Sequence, residues 1–203
     1  VPSELIVLDT KGEEGDGSID IVREYTDKIY RYVWCNDFAA ARNACLSYAA
    51  GEWFMYQDDD EWFDNVDELI NFFNSDECEQ YNSGCYYTKS YDAKGNFSMG
   101  VASRMIRVNE KTGFVGKIHE CFNEFPLPCK YFESFVHHMG YAYFTPELQK
   151  RKHERNITLL KEELTNEGYT PRICVQMVQE LMTCTDSLKE SLVFADKVLK
   201  IFK

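Results

Sequence analysis

The sequence predicts an α/β fold: a Rossmann-like, mostly parallel mixed sheet followed by a C-terminal helical extension. Three observations predict it. Strand-length apolar runs alternate with helical stretches as far as Tyr56, β-rich segments punctuated by turn residues continue to Val136, and beyond Pro146 the hydrophobic period is helical.

Glu4 to Leu8 turns apolar after its first residue and ends at Asp9-Thr10, which reads as a buried parallel strand delivering a carboxylate at its C-terminal end. Lys11 to Gly17 is a loop of glycines and acids. Ser18 is expected to cap a short helix with Ile21, Val22 and Tyr25 on one face. Ile29 to Trp34 is rich in β-formers. Asp37 can cap a helix from Phe38 to Ala50, closed by Gly51. Trp53 to Tyr56 is an apolar strand that runs directly into Gln57-Asp58-Asp59-Asp60-Glu61. Strand, helix, strand, helix, strand implies crossovers and a parallel sheet, whose ligands bind at the strands' carboxyl ends. Asp9 and the Asp58–Glu61 run both fall on that edge.

Val66 to Phe73 reads as a helix. Cys85 to Ser90, Met99 to Val108 and Tyr131 to Val136 read as strands, with turns at Asp92 to Asn96 and Asn109 to Gly113. Helices are expected over Glu147 to Glu167, Pro171 to Thr183 and Ser187 to Phe202. Their expected stripes are Ile157, Leu160 and Leu164; Val175, Val178 and Leu181; and Leu188, Leu192, Ala195 and Leu199.

Composition excludes several classes. The 203 residues carry 22 Lys+Arg against 34 Asp+Glu, a formal charge of −12, which argues against a nucleic-acid or anionic-membrane surface. Hydrophobic residues make up 44%, ample for a core, yet no run approaches a membrane span. The eight cysteines form no CxxC pair. A chain of this size needs no disulfide staples, so mostly buried, reduced thiols and a cytoplasmic setting are expected.

Asp58-Asp59-Asp60-Glu61 carries the sharpest chemistry. Adjacent like charges are stable either solvated or around a cation, and Trp62-Phe63 anchor the far side of the run. Position 63 is Phe where an EF-hand loop needs Gly, and a short all-oxygen site suits Mg²⁺ or Mn²⁺ with positions left for phosphate. There is no HExxH, P-loop or GxGxxG, which excludes the zincin, P-loop and dinucleotide-binding readings. His137 and His138 adjoin on a strand and point to opposite faces, so one at most reaches a site. Arg42 on its helix is either a solvated surface group or a phosphate partner.

Taken in order, Leu8-Asp9-Thr10, Asp16-Gly17-Ser18, Phe38-Ala39-Ala40-Ala41-Arg42-Asn43, Asp58-Asp59-Asp60-Glu61, Arg104-Met105-Ile106-Arg107, Gly116-Lys117-Ile118-His119-Glu120 and His138-Met139-Gly140-Tyr141 resemble the GT-A, family-2-type glycosyltransferases. Within them the match is to the bacterial branch with a tetratricopeptide-like helical tail. The resemblance runs from Glu4 to about Phe144 and implies a transferase domain over residues 1–145 and a TPR-like extension over 146–203. Relative to the family pattern, the chain opens one strand and one helix late.

The resemblance also implies roles. Asp9 and Thr10 would meet the nucleoside, with Asp16 and Arg42 close by. Asp58 and Asp60 would form the DxD pair and both hold a divalent metal (Mn²⁺ or Mg²⁺), Asp58 also lying near the nucleotide and Asp60 binding the metal where it bridges the donor's phosphates. His138 would add a metal or phosphate contact. His119 and Glu120 would border the acceptor, with Glu120 as base and Glu61 or Asp59 as rivals. The implied donor is a nucleotide-diphospho-sugar, UDP-linked. The implied acceptor is a protein, peptide or glycan, and the tail suggests protein binding or a homodimer. Such transfer needs a cation against the leaving diphosphate and a carboxylate to deprotonate the acceptor. Two other readings stand beside it: a nucleotidyltransferase, which wants a basic Gly-rich loop where Glu13, Glu14 and Asp16 stand, and a non-catalytic binding module.

Overall fold

The computed structural model describes residues 4–11, 17–142, 145–183 and 187–202. Its contacts separate two units: Val1–Cys35, Ala40–Val115 and Cys121–Tyr143 form the first, and Asn36–Ala39, Gly116–Glu120 and Phe144–Lys203 the second.

The first unit opens with β1 (Val7–Asp9), α1 (Ser18–Val22) and β2 (Ile29–Arg31). β1 and β2 pair in parallel, Val7 opposite Ile29, as the alternating pattern predicts. α1 starts at Ser18 with Gly17 as its cap and buries no residue; Ile21 and Tyr25 are exposed, so the expected apolar face is not used. α2 (Phe38–Ser47) ends before Ala50, and Gly51 therefore lies beyond its cap.

β3 (Trp53–Met55) departs from expectation. It does not extend the parallel pair but lies antiparallel to β6 (Phe97–Arg107), Trp53 opposite Arg107. A continuous apolar run signals burial on both faces and carries no information about which strand lies beside it. The long neighbour decides. β5 (Ser83–Asp92) turns at Asp92–Asn96, where the Asp92 carboxylate accepts from the Lys94 and Asn96 amides, and β6 returns antiparallel with a free edge for β3. With β4 (Glu61–Phe63) and β9 (Cys129–Tyr141), the five-stranded order is β3-β6-β5-β9-β4, in which β5 and β9 alone are parallel. β7 (Phe114–Val115) and β8 (Cys121–Phe122) make a separate ladder.

α3 (Asp67–Phe73) covers the five-stranded sheet and buries Leu69 and Phe72 against Tyr86, Met105, Phe132 and Val136. Phe72 meets Phe132 edge-on at 5.1 Å within this aromatic core.

The second unit contains α4 (Pro146–Glu167), α5 (Pro171–Met182) and α6 (Leu188–Ile201). Thr145-Pro146 and Thr170-Pro171 open the first two alike, each threonine hydroxyl accepting from a backbone amide three residues on. The buried stripes are rotated from those expected. α4 buries Asn156, Leu159, Leu160 and Glu163; α5 buries Ile173, Cys174, Met177, Glu180 and Leu181 and leaves Val175 exposed. On α6 only Ser191 is buried, and Leu188, Leu192 and Leu199 face outward. Two of the buried polar residues, Glu163 and Glu180, hold the 116–120 segment, a demand that hydrophobic period does not record.

The seven described cysteines are unlinked, but only Cys85 and Cys174 are buried, fewer than expected; Cys35 and Cys121 are exposed. Among the described residues, no helix is long and apolar enough to cross a membrane.

Candidate functional site

The acidic run leaves β3 and enters β4, so its residues lie between two elements of one sheet. Asp58 accepts from Arg42 of α2 and from Arg104 of β6, the latter at 3.0 Å. Arg104 also donates to Glu61 at 2.8 Å, and Glu61 accepts from the Asp58 amide at 3.1 Å. Both guanidiniums lie over Tyr56, with Cζ at 4.3 Å (Arg42) and 4.8 Å (Arg104) from the ring centroid. The Asp58 carboxylate, expected to share a cation with Asp60, thus has its two oxygens on guanidinium groups. The Glu61 side chain is 1% exposed, a buried counter-charge rather than a solvated acid.

Electrostatics follow from this packing. Burial pushes the Asp58 carboxyl up, but Arg42 and Arg104 more than offset it and hold it below the usual carboxylate range. At Glu61 burial wins over Arg104, and the carboxyl is raised. The arginines are fixed in turn. Asn43, beside Arg42, exchanges two hydrogen bonds with the Phe114 backbone, at 3.0 and 2.8 Å, which sets the rotation of α2. Two oriented, half-buried guanidiniums are suited to planar recognition of phosphate oxygens.

Asp60 faces another way. The β4–β9 register places Glu61 opposite His138, which brings Asp60 Oδ2 to 3.4 Å from His138 Nε2. His138 Nδ1 lies 3.3 Å from Ser90 Oγ on β5. With Nδ1–H donated to that hydroxyl, Nε2 presents a lone pair on the Asp60 side. A Cβ on Gly140 would stand 2.5 Å from Asp60 Oδ2 and 2.6 Å from His138 Nε2. Glycine therefore keeps clear the point on which both atoms converge. An anionic oxygen and an imidazole nitrogen could hold Mg²⁺ or Mn²⁺ while leaving positions for phosphate and water. Among the described residues no group of three or more His, Cys, Asp and Glu could hold a metal. His137 points away, stacked on Trp62 and Tyr91.

The other expected site residues are distributed as follows. Asp9 ends β1 and accepts from the Lys11 amide at 3.0 Å; Thr10 follows and is exposed. Asp16 lies outside the described residues. His119 and Glu120 belong to the second unit, where His119 Nε2 donates to Glu180 at 3.2 Å. Sequence reasoning missed the ion-pair roles of Arg104 and Glu61, the ring of Tyr56 and the clearance at Gly140. A signal for Arg104 existed: one cation on the strand face shared with Ala102 and Ile106 needs a buried acid.

A mixed sheet with C-terminal helices and this acidic strand end is that of a GT-A glycosyltransferase. Residues 2–132 match the family described as Glycosyl transferase family 2, and the chain belongs to that family. It is 30% identical over 184 residues to the SPbeta prophage-derived glycosyltransferase SunS of Bacillus subtilis, and equally to glycosyltransferase SunS of Bacillus phage SPbeta, covering 84% of this chain and 41% of each relative. The chain thus spans about two-fifths of the length of those relatives. A TPR repeat-containing protein of Synechococcus elongatus is 41% identical over 58 residues, 29% of this chain and 14% of that protein.

Proposed function

We propose that the chain carries a metal-dependent, inverting glycosyltransferase site that moves a sugar from a nucleoside diphosphate donor, UDP-linked, to a protein, peptide or glycan acceptor. The observation that carries this reading is the convergence of Asp60 Oδ2 and His138 Nε2 on the space kept open by Gly140. A divalent cation bound there would neutralise charge developing on the leaving diphosphate. Arg42 and Arg104, oriented by Asp58 and Glu61, would take further phosphate oxygens. Asp9 and Thr10, at the tip of β1, would meet the nucleoside. Glu120 would accept the proton of the acceptor hydroxyl or thiol as it attacks the anomeric carbon from the face opposite the diphosphate. In this reading residues 1–145 are the transferase domain, 146–203 a TPR-like extension, and the setting cytoplasmic.

Thermal shift with UDP, GDP and nucleoside triphosphates, with and without Mn²⁺, tests the reading. Mn²⁺-dependent stabilisation by a nucleoside diphosphate is expected, and Asp60→Asn should remove its metal-dependent part with the fold intact. Stabilisation by triphosphates alone would mark a nucleotidyltransferase. No response to any nucleotide in a folded sample would mark a binding module.

A further inference from the structure

The segment Gly116–Glu120 is read above as bordering the acceptor, and within the second unit it is held by α4 and α5 and by the first residues of α2, where the Phe38 and Ala39 amides donate to the Lys117 and Gly116 carbonyls. The Lys117 amide donates to Glu163 of α4 at 2.7 Å. Ile118 is buried among Leu159, Leu160, Met177 and Leu181. The His119 carbonyl accepts from Gln176 of α5 at 3.1 Å, and the His119 ring donates to Glu180, one helical turn further on. Gly116, at φ 101°, lies so close to Arg172 that a Cβ would stand 2.7 Å from its guanidinium.

His119 is itself unusual. Its φ of 52° is left-handed, a conformation that a side chain with a Cβ adopts at a cost and keeps only where its surroundings impose it. Here they do so at both ends of the residue, through Gln176 on its carbonyl and Glu180 on its ring. Glu180 is equipped for the task. Its side chain is 9% exposed, and its carboxylate also accepts from the buried Asn156 at 3.2 Å and lies 3.4 Å from His153 Nδ1. The Asn156 oxygen in turn accepts twice from Arg155. Burial pushes the Glu180 carboxyl up, but the hydrogen bonds from His119 and Asn156, with His153 nearby, bring it below its ordinary range.

We infer that Glu180 is a positioning residue for acceptor chemistry: by accepting the hydrogen bond from His119 Nε2 it fixes the ring's orientation at the residue that precedes Glu120. The helical extension then holds the orientation of His119. This rests on the transferase reading, in which His119 and Glu120 border the acceptor.

The test is a double-mutant cycle of His119→Gln and Glu180→Gln, assayed for sugar transfer, together with a ¹³C NMR titration of the Glu180 carboxyl. Glu180→Gln should lower kcat by about 10–100-fold with the donor KM unchanged, the order expected when a reacting group is misplaced by about 1 Å. The double variant should be no slower than His119→Gln alone. In His119→Gln the Glu180 carboxyl should titrate at higher pH than in the native chain. Additive losses in the cycle, or a carboxyl titration indifferent to His119, would overturn the inference. The titration needs no sugar donor, so a folded chain that transfers nothing would count against the transferase reading while the titration still decides the pair.

Discussion

Asp60 and His138 face one another at 3.4 Å across the antiparallel pair β4–β9, and the absence of a side chain at Gly140 keeps their meeting point open. In the proposed reading, Gly140→Ala therefore obstructs the cation while leaving the chemical identity of both candidate ligands unchanged. The atoms it would strike are the ends of two side chains, which can swing aside, so the fold should survive. Mn²⁺ binding by isothermal titration should weaken by about tenfold or more, the range seen when ligand orientation is disturbed. Unchanged affinity would overturn the assignment of this pair as a metal site.

Arg104 is the common partner of Asp58 and Glu61. Removing it strands the fully buried Glu61 carboxylate, and breaking such a pair from one side costs about 3–5 kcal/mol. Arg104→Ala should lose stability of that order in urea unfolding. Pairing Arg104→Met with Glu61→Leu should recover a large part of it, because no uncompensated charge then remains buried.

Gly116→Ala places a Cβ at positive φ and 2.7 Å from the Arg172 guanidinium. We expect a loss of about 1–3 kcal/mol from backbone strain. Gly95→Ala shares the positive φ but has nothing within 4 Å, and should cost less. Chemical denaturation of the two variants separates strain from contact.

Acid should unfold the protein through two carboxyls. Asp58 and Glu180 sit below their ordinary values of 3.8 and 4.5, so the unfolded chain binds their protons more readily. Their contribution is present above those ordinary values and lost as pH falls through the lowered native ones. Glu61 is raised above 4.5 by burial, so its effect is opposite: stability present below that value and lost as pH rises through the native one. Urea midpoints followed from about pH 5 to about pH 3 should fall, and Glu180→Gln should flatten that slope.

The C-terminal helices were legible, α4 and α5 because Thr-Pro starts are local chemistry and α6 from its hydrophobic period, and the spans observed agree with those predicted within one or two residues. β3 was legible as a strand but not as a partner of β6, since pairing depends on a segment some fifty residues later. At the site, the acidic run was visible as charge. Its division into Asp58 and Glu61 facing arginines and Asp60 facing His138 was not, because that depends on a register only tertiary packing fixes.

The allegiance of Gly116–Glu120 to α4 and α5 bears on how such enzymes can be recombined. A graft that exchanged the tail at residue 145 would leave Lys117, Ile118 and His119 searching for Glu163, Leu160 and Glu180 in a foreign helix pair. Swaps that carry residues 36–39 and the 116–120 strip together with the helices would transplant the whole second unit, and the seam for such a graft therefore runs through the sequence matched by the family rather than behind it.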